Sequence, residues 1–172
     1  MKYYAVIDTN VLVSSLLTKN GNSPVVKIVD AIRDSKVIPM YNDDIFIEYT
    51  EVLNRDRFGL DEDVVAETLA MIKNRGINCE GKPVSDILPD PDDVIFYEVA
   101  MSREDSYLVT GNLKHFPQNG RVVSPSEMLM IIEFGQLSTG LLNSDEPPLY
   151  MSMPLSEIND IIRDVRRSLA RV

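Results

Sequence analysis

The apolar positions of the chain fall into short blocks with two different periods. Tyr3 to Ile7 is a β-favouring run that stops at Asp8, so it predicts a strand buried on both faces. From Asn10 the pattern turns helical up to Leu17, and Lys19-Asn20-Gly21-Asn22 makes a loop. Ser23 and Pro24 form a cap and first-turn pair for a helix reaching about Asp34. Val37 to Tyr41 is a second strand, and Asn42, Asp43 and Asp44 start a helix that runs to about Arg55. A further helix covers about Asp61 to Lys73 and closes at Gly76, with a weak strand near Ile77. Pro89-Asp90-Pro91-Asp92-Asp93 leads into a helix from about Asp92 to Met101. Tyr107 to Thr110 and then Val122 and Val123 are strands, and Pro125 to Phe134 is a helix.

Strands that alternate with helices predict an α/β fold with a largely parallel sheet. In such sheets ligands gather beyond the carboxyl ends of the strands. Residues 1–134 form this domain, and 135–155, rich in Ser, Gly, Asn and Pro, read as a linker. Residues 156–172 then predict an amphipathic helix. Its stripe is Ile158, Ile162, Val165 and Leu169, with Ile161 beside it, while Arg163, Arg166, Arg167 and Arg171 lie off the stripe. The stripe is expected to pack on the domain or on a symmetry mate, because it spans too few heptads for a coiled coil.

Composition narrows the class. At 172 residues with 44% apolar content, the chain suits one compact domain with a short appendage. Cys79 is its only cysteine, which excludes a disulfide framework and a cysteine zinc site and fits a reducing cytoplasm. No apolar stretch approaches the roughly 18 residues of a membrane span. The net charge of -10 argues against indiscriminate attraction to a polyphosphate, so a nucleic-acid partner needs a local basic patch or bound cations.

Four acidic or polar stretches carry the candidate chemistry. Asp8 ends the first strand, where it either caps the next helix or binds a ligand. Glu48 lies at the edge of the apolar face set by Ile45, Tyr49, Val52 and Leu53, a position for a surface acid or for one aimed into a cleft. Asp93 shares a helical face with Phe96, Tyr97 and Ala100, although first-turn acids also serve the helix dipole. In "LVTGNLKHF", Gly111 permits a tight turn, and Thr110 and Asn112 offer oxygens.

Each stretch alone has an ordinary structural explanation, and their convergence on one sheet edge is what points to a site. Oxygen ligands without clustered His or Cys describe a hard-cation site, for Mg²⁺ or Mn²⁺ rather than zinc. Such an ion on carboxylates suits phosphodiester hydrolysis. An aspartyl phosphatase of the haloacid dehalogenase type needs a second Asp two residues after the first, and Asn10 stands there. A phospho-receiver module needs paired acids at the first strand end, which are not apparent.

At these residues the chain resembles the PIN-domain nucleases, particularly the bacterial and archaeal toxins of toxin-antitoxin systems. The matching pieces are "VIDTNVLVSSLL", Glu48 in "EYTEVLNR", "DPDDVIFYEVA" and "YLVTGNLKHFP", in family order over about the first 130 residues. The resemblance implies a three-layer PIN-like fold with about five parallel strands and helices on both sides. It also implies Mg²⁺- or Mn²⁺-dependent cleavage of RNA, an antitoxin protein as partner, and a homodimer. Asp8, Glu48 and Asp93 match the family's acidic residues, with Thr9, Asn10 and Thr110 as polar supports. Many members carry Asp where this chain has Asn112, which leaves one fewer negative charge. Asp105 is an extra acidic candidate, although related chains tend to place the acid one position later, at Ser106.

Lys114 is a phosphate-binding candidate, whereas His115 is expected to pack on Phe116. The tail segment "LSEINDIIRDVRRSLAR" resembles helical segments of short antitoxin-like proteins, which raises the idea of a helix docked near the cleft. The non-enzymatic alternative is a degenerate PIN-like module that binds RNA or protein.

Overall fold

The computed structural model describes residues 1–134 and 153–170. Five parallel strands form the sheet: β1 (Tyr3–Ile7), β2 (Val37–Tyr41), β3 (Ile77–Asn78), β4 (Ser106–Val109) and β5 (Val122–Val123), in the order β3-β2-β1-β4-β5. The chain steps outward from β1 to β2 and β3, then crosses back to place β4 on the other side of β1. Tyr4 pairs with Ile38 of β2 and with Ser106 of β4. That reversal of strand order leaves a crevice at the carboxyl ends of β1 and β4.

The helices are α1 (Thr9–Leu17), α2 (Pro24–Arg33), α3 (Asp43–Leu53), α4 (Glu62–Arg75), α5 (Val94–Met101), α6 (Pro125–Phe134) and α7 (Leu155–Leu169). Helices α1 to α4 carry the chain from β1 toward β3, and α5 carries it back. Right-handed crossovers of opposite sense lie on opposite faces of a sheet, so α5 covers the face away from α1 to α4. Helix α5 packs directly on β1, β2 and β4, and α2 packs on α1, α4 and α6. The core runs through the sheet: Ala5, Val6, Ile7, Leu108 and Val109 are buried, with Tyr49 and Phe96 among the largest side chains fully enclosed.

Observed boundaries lie close to the periodicity. The difference that bears on the site is at Asp92 and Asp93, which the pattern assigns to a helix. They belong to a 3-10 turn, Pro91–Asp93, and α5 begins at Val94. Pro91 cannot donate a backbone hydrogen bond, and the Asp90 side chain accepts from Asp92 N at 3.0 Å, which fixes a tight turn instead. Most of the expected linker, 135–152, lies outside the described residues, as do positions 171 and 172. Leu155, expected in the linker, is the first residue of α7.

Gly76 closes α4 at a point of backbone crowding. A Cβ there would lie 2.5 Å from the Ile72 carbonyl oxygen, 2.7 Å from that of Pro39 and 2.8 Å from the Tyr41 ring. Two of these three neighbours are backbone and cannot swing aside. Gly76→Ala is therefore expected to cost about 2 kcal/mol by displacing α4 from β2, measurable as a lower denaturant midpoint with unchanged slope.

Candidate functional site

The sheet's carboxyl edge is stitched together before any chemistry is considered. Asp8 N donates to the Val109 carbonyl at 2.9 Å and Thr110 N to that of Val123 at 3.0 Å, continuing the ladder one residue past the strands. The Asn10 Oδ1 atom accepts from Gly111 N at 3.1 Å and ties the first loop to the "TGN" loop. Gly111 does not use a left-handed backbone. Its value is close approach: a Cβ there would meet Asn10 Oδ1 at 3.2 Å and the Leu155 side chain at 3.3 Å.

Three carboxylates are buried on this edge: Asp8 is 3% exposed, Glu48 5% and Asp93 4%. Asp8 takes the capping role open to it from sequence and is also held from the second loop. Its Oδ1 caps α1 by accepting from Asn10 N at 3.3 Å, and its Oδ2 accepts from the Thr110 hydroxyl at 2.6 Å. The Thr110 oxygen in turn accepts from Asn112 N at 2.9 Å. Glu48 is brought in by α3, whose start is capped by Asn42 accepting from Ile45 N, and it accepts from the Thr9 hydroxyl at 2.5 Å. Beneath them the buried Tyr49 hydroxyl donates to the Ile7 carbonyl, and its ring stands 6.3 Å from that of Phe96.

Asp93 holds the amino end of α5 but makes no side-chain cap bond there. One carboxylate oxygen meets His115 Nδ1 at 2.9 Å, so the imidazole belongs to the site rather than only packing on Phe116. Asp90, which the sequence pattern leaves outside the site, joins them. Single ligand atoms of Asp90, Asp93 and His115 lie within 4.8 Å of one another.

The largest correction concerns the tail. Arg166 was expected off the apolar stripe, yet it is 8% exposed and points into the acidic edge. Its Nε donates to Glu48 Oε2 at 2.9 Å, its Nη2 to Glu48 Oε1 at 3.3 Å and its Nη1 to Asp93 Oδ1 at 2.8 Å. Asp90 Oδ2 lies 3.9 Å from Nη1. The signal was present in the spacing: Asn159, Ile162 and Arg166 recur at three and four residues and so share one face. Asn159 uses that face to donate to Asn112 Oδ1 at 3.1 Å.

Two expected residues are elsewhere or peripheral. Asp105 precedes β4, at the amino end of the strand and away from the site, where it is exposed and pairs with Arg103 at 3.0 Å. Lys114 is exposed in the turn beside His115.

Burial raises the Asp8 carboxyl from its usual 3.8 to about 6, and the charge of Asp93 adds to the rise against the Thr110 hydrogen bond and Arg166. Among the described residues no cation pairs with Asp8 within 4 Å. Burial also raises Glu48, although Arg166 opposes it. For Arg166 burial disfavours the charge, but the surrounding carboxylates outweigh it and hold the guanidinium firmly protonated. Three buried carboxylates and the half-buried Asp90 beside one guanidinium leave an excess of negative charge, a donor set of hard oxygens that suits a divalent cation.

Beside this cluster a cleft of about 420 Å³ is lined by Pro89, Asp90, Asp92, His115, Arg163 and Arg167. Among the described residues no helix is long and apolar enough to cross a membrane. A family model described as PIN domain matches residues 4–114. Neither a curated protein nor a solved structure matches the chain.

Proposed function

Because the chain belongs to the PIN domain family, whose model spans about two thirds of it, we propose that it is a Mg²⁺- or Mn²⁺-dependent endoribonuclease. The observation that carries this reading is the convergence of Asp8, Glu48 and Asp93 at the carboxyl ends of β1 and β4, buried and with Asp8 in no ion pair among the described residues. These three, with Asp90, are the residues that would hold the ion. A divalent ion bound there supplies Lewis-acid chemistry and neutralises phosphate charge that the acids would otherwise repel.

The chain's own groups do the rest. Thr110 and Thr9 fix the rotamers of Asp8 and Glu48, and Asn10 holds the two loops at one spacing. His115 borders both the carboxylates and the adjacent cleft, where it can orient or protonate a phosphate oxygen, and Lys114 beside it adds positive charge for the RNA backbone. Asn112 keeps the fourth position neutral, which favours one tightly held ion over two.

The likeness of "VIDTNVLVSSLL" and its companion stretches to toxin sequences extends the proposal: a cytoplasmic, homodimeric toxin held by an antitoxin protein. The competing reading, a catalytically silent module that binds RNA, draws on Asn112 and on the occupancy of the site by Arg166. Incubating mixed RNAs with wild type and Asp93→Asn, with and without Mn²⁺, separates them. Cleavage that needs the metal and falls at least about 100-fold in Asp93→Asn is expected. RNA retention without metal-dependent cleavage in any condition supports the silent module.

A further inference from the structure

Helix α7 covers the acidic edge that the proposed hydrolysis requires to be open. Its apolar stripe faces the domain: Ile158, Ile161, Ile162 and Val165 are buried and Leu169 is partly buried, and the helix packs on α1 and α3. Three further contacts set its register. Leu155 rests on Gly111, Asn159 donates to Asn112, and Arg57 pairs with Glu157 at 3.4 Å. Arg166 then enters the acidic cluster with all three of its guanidinium nitrogens engaged.

What remains of the site beneath this roof is small. The partly open space lined by Asp8, Asp93, His115, Asn159, Ile162 and Arg166 is about 20 Å³, room for roughly one water molecule. No phosphodiester fits there. The guanidinium fork sits where Glu48 and Asp93 would turn their oxygens to a metal, and it supplies the positive charge that a metal would bring.

We propose that α7 is a built-in inhibitor of its own active site, with Arg166 standing in for the divalent cation, so that metal with RNA and the docked helix exclude one another. The inference rests on the reading of the site as a divalent-metal nuclease centre. It makes the chain a two-state device in which α7 is down with Arg166 bound or lifted with metal and substrate bound. The ligands shift the balance by binding only the open state. The occupant is this chain's own segment, tethered to the domain it covers, so the block needs no second protein.

The test is Mn²⁺ binding by calorimetry to the full chain as wild type, Arg166→Ala and Ile158→Asn, with hydrogen exchange read over α7. Ile158→Asn loosens the helix while keeping Arg166, and it covers the case in which Arg166→Ala fails to fold. The expected result is at least about tenfold tighter Mn²⁺ binding in the variants, and faster exchange of the α7 amides when Mn²⁺ is added to wild type. Equal or weaker binding in the folded variants, or α7 amides that stay protected in saturating Mn²⁺, overturns the proposal. Variants that bind Mn²⁺ more tightly yet cut no RNA support the inhibitory helix and overturn the nuclease reading, so the two can fail separately.

Discussion

Replacing Asp8 by Asn is expected to remove metal-dependent RNA cleavage, by at least about 100-fold, while making the metal-free protein more stable. The activity loss follows from deleting a charged oxygen from the proposed ion's donor set. The stability gain follows from the carboxyl's pKa. In the fold it lies at about 6, above its usual 3.8, because burial and Asp93 oppose its ionisation. The folded chain therefore keeps a proton that the unfolded chain has already released. That contribution is complete below the unfolded value, and it is lost as pH rises through the folded one. Above about pH 6 the native state carries the cost of a buried charge, about 3 kcal/mol for a shift of roughly two units.

An Asn at position 8 can still accept from Asn10 N as a helix cap, and its amide can reach the Thr110 oxygen, so little is lost in exchange. Denaturant unfolding of wild type and Asp8→Asn across a pH series in a chelator should give curves that nearly coincide at acid pH. They should separate in favour of the variant toward neutrality. Parallel curves, or a less stable variant at neutral pH, would show that Asp8 is not held at a cost. Curves that separate as expected give the position the signature of a functional group retained against stability.

Arg166→Ala should act in the opposite direction. Removing it leaves Glu48 and Asp93 buried without a cation, and breaking a buried pair typically costs 3–5 kcal/mol. About 3 kcal/mol is expected near neutral pH, the lower end of that range, because α7 can lift and let water reach the acids. The deficit should shrink as pH falls, since Glu48 already has a raised pKa and protonates more readily once Arg166 is gone. Saturating Mn²⁺ should recover most of it, because a ligand that binds the folded state at a hundred times its Kd contributes about 2.7 kcal/mol. Thermal melts of both proteins, with and without Mn²⁺, read this directly. A variant as stable as wild type without metal would mean that the guanidinium does not balance the acids.

Much of this molecule was legible in its sequence, for reasons that are local. The strands β1 and β4 are short apolar runs ended by polar residues; α3 carries its own cap in Asn42 and its first-turn acids, and α2 has Pro24 in its first turn, although Ser23, expected as its cap, makes no side-chain capping bond. Two periods of hydrophobicity are therefore enough to order the elements. Asp8, Glu48 and Asp93 could be picked out because a carboxylate at a strand end or at the rim of an apolar face stands out against its neighbours. The recurrence of family stretches in order then tied them together.

Only tertiary structure decided what those residues meet. Asp90 and His115 look like a turn residue and a packing residue because nothing within a few positions shows that the 3-10 turn and the "TGNLKHF" loop converge. Asp105 looks equivalent to other acids in the text of the sequence, yet it sits at the wrong end of β4. Arg166 is the clearest case. A hydrophobic stripe specifies that a helix will bury one face, but not on which surface or at what rotation, because dispersion and burial are non-directional. Where the rotation falls decides whether an arginine flanking the stripe faces water or fills a pocket of four acids, and that depends on Leu155 meeting Gly111 and Asn159 meeting Asn112. The sequence alone determined that this chain builds a parallel α/β sheet with acids at its carboxyl edge. The fold decided that its own tail supplies the cation those acids hold, since that pairing joins residues 118 positions apart through space.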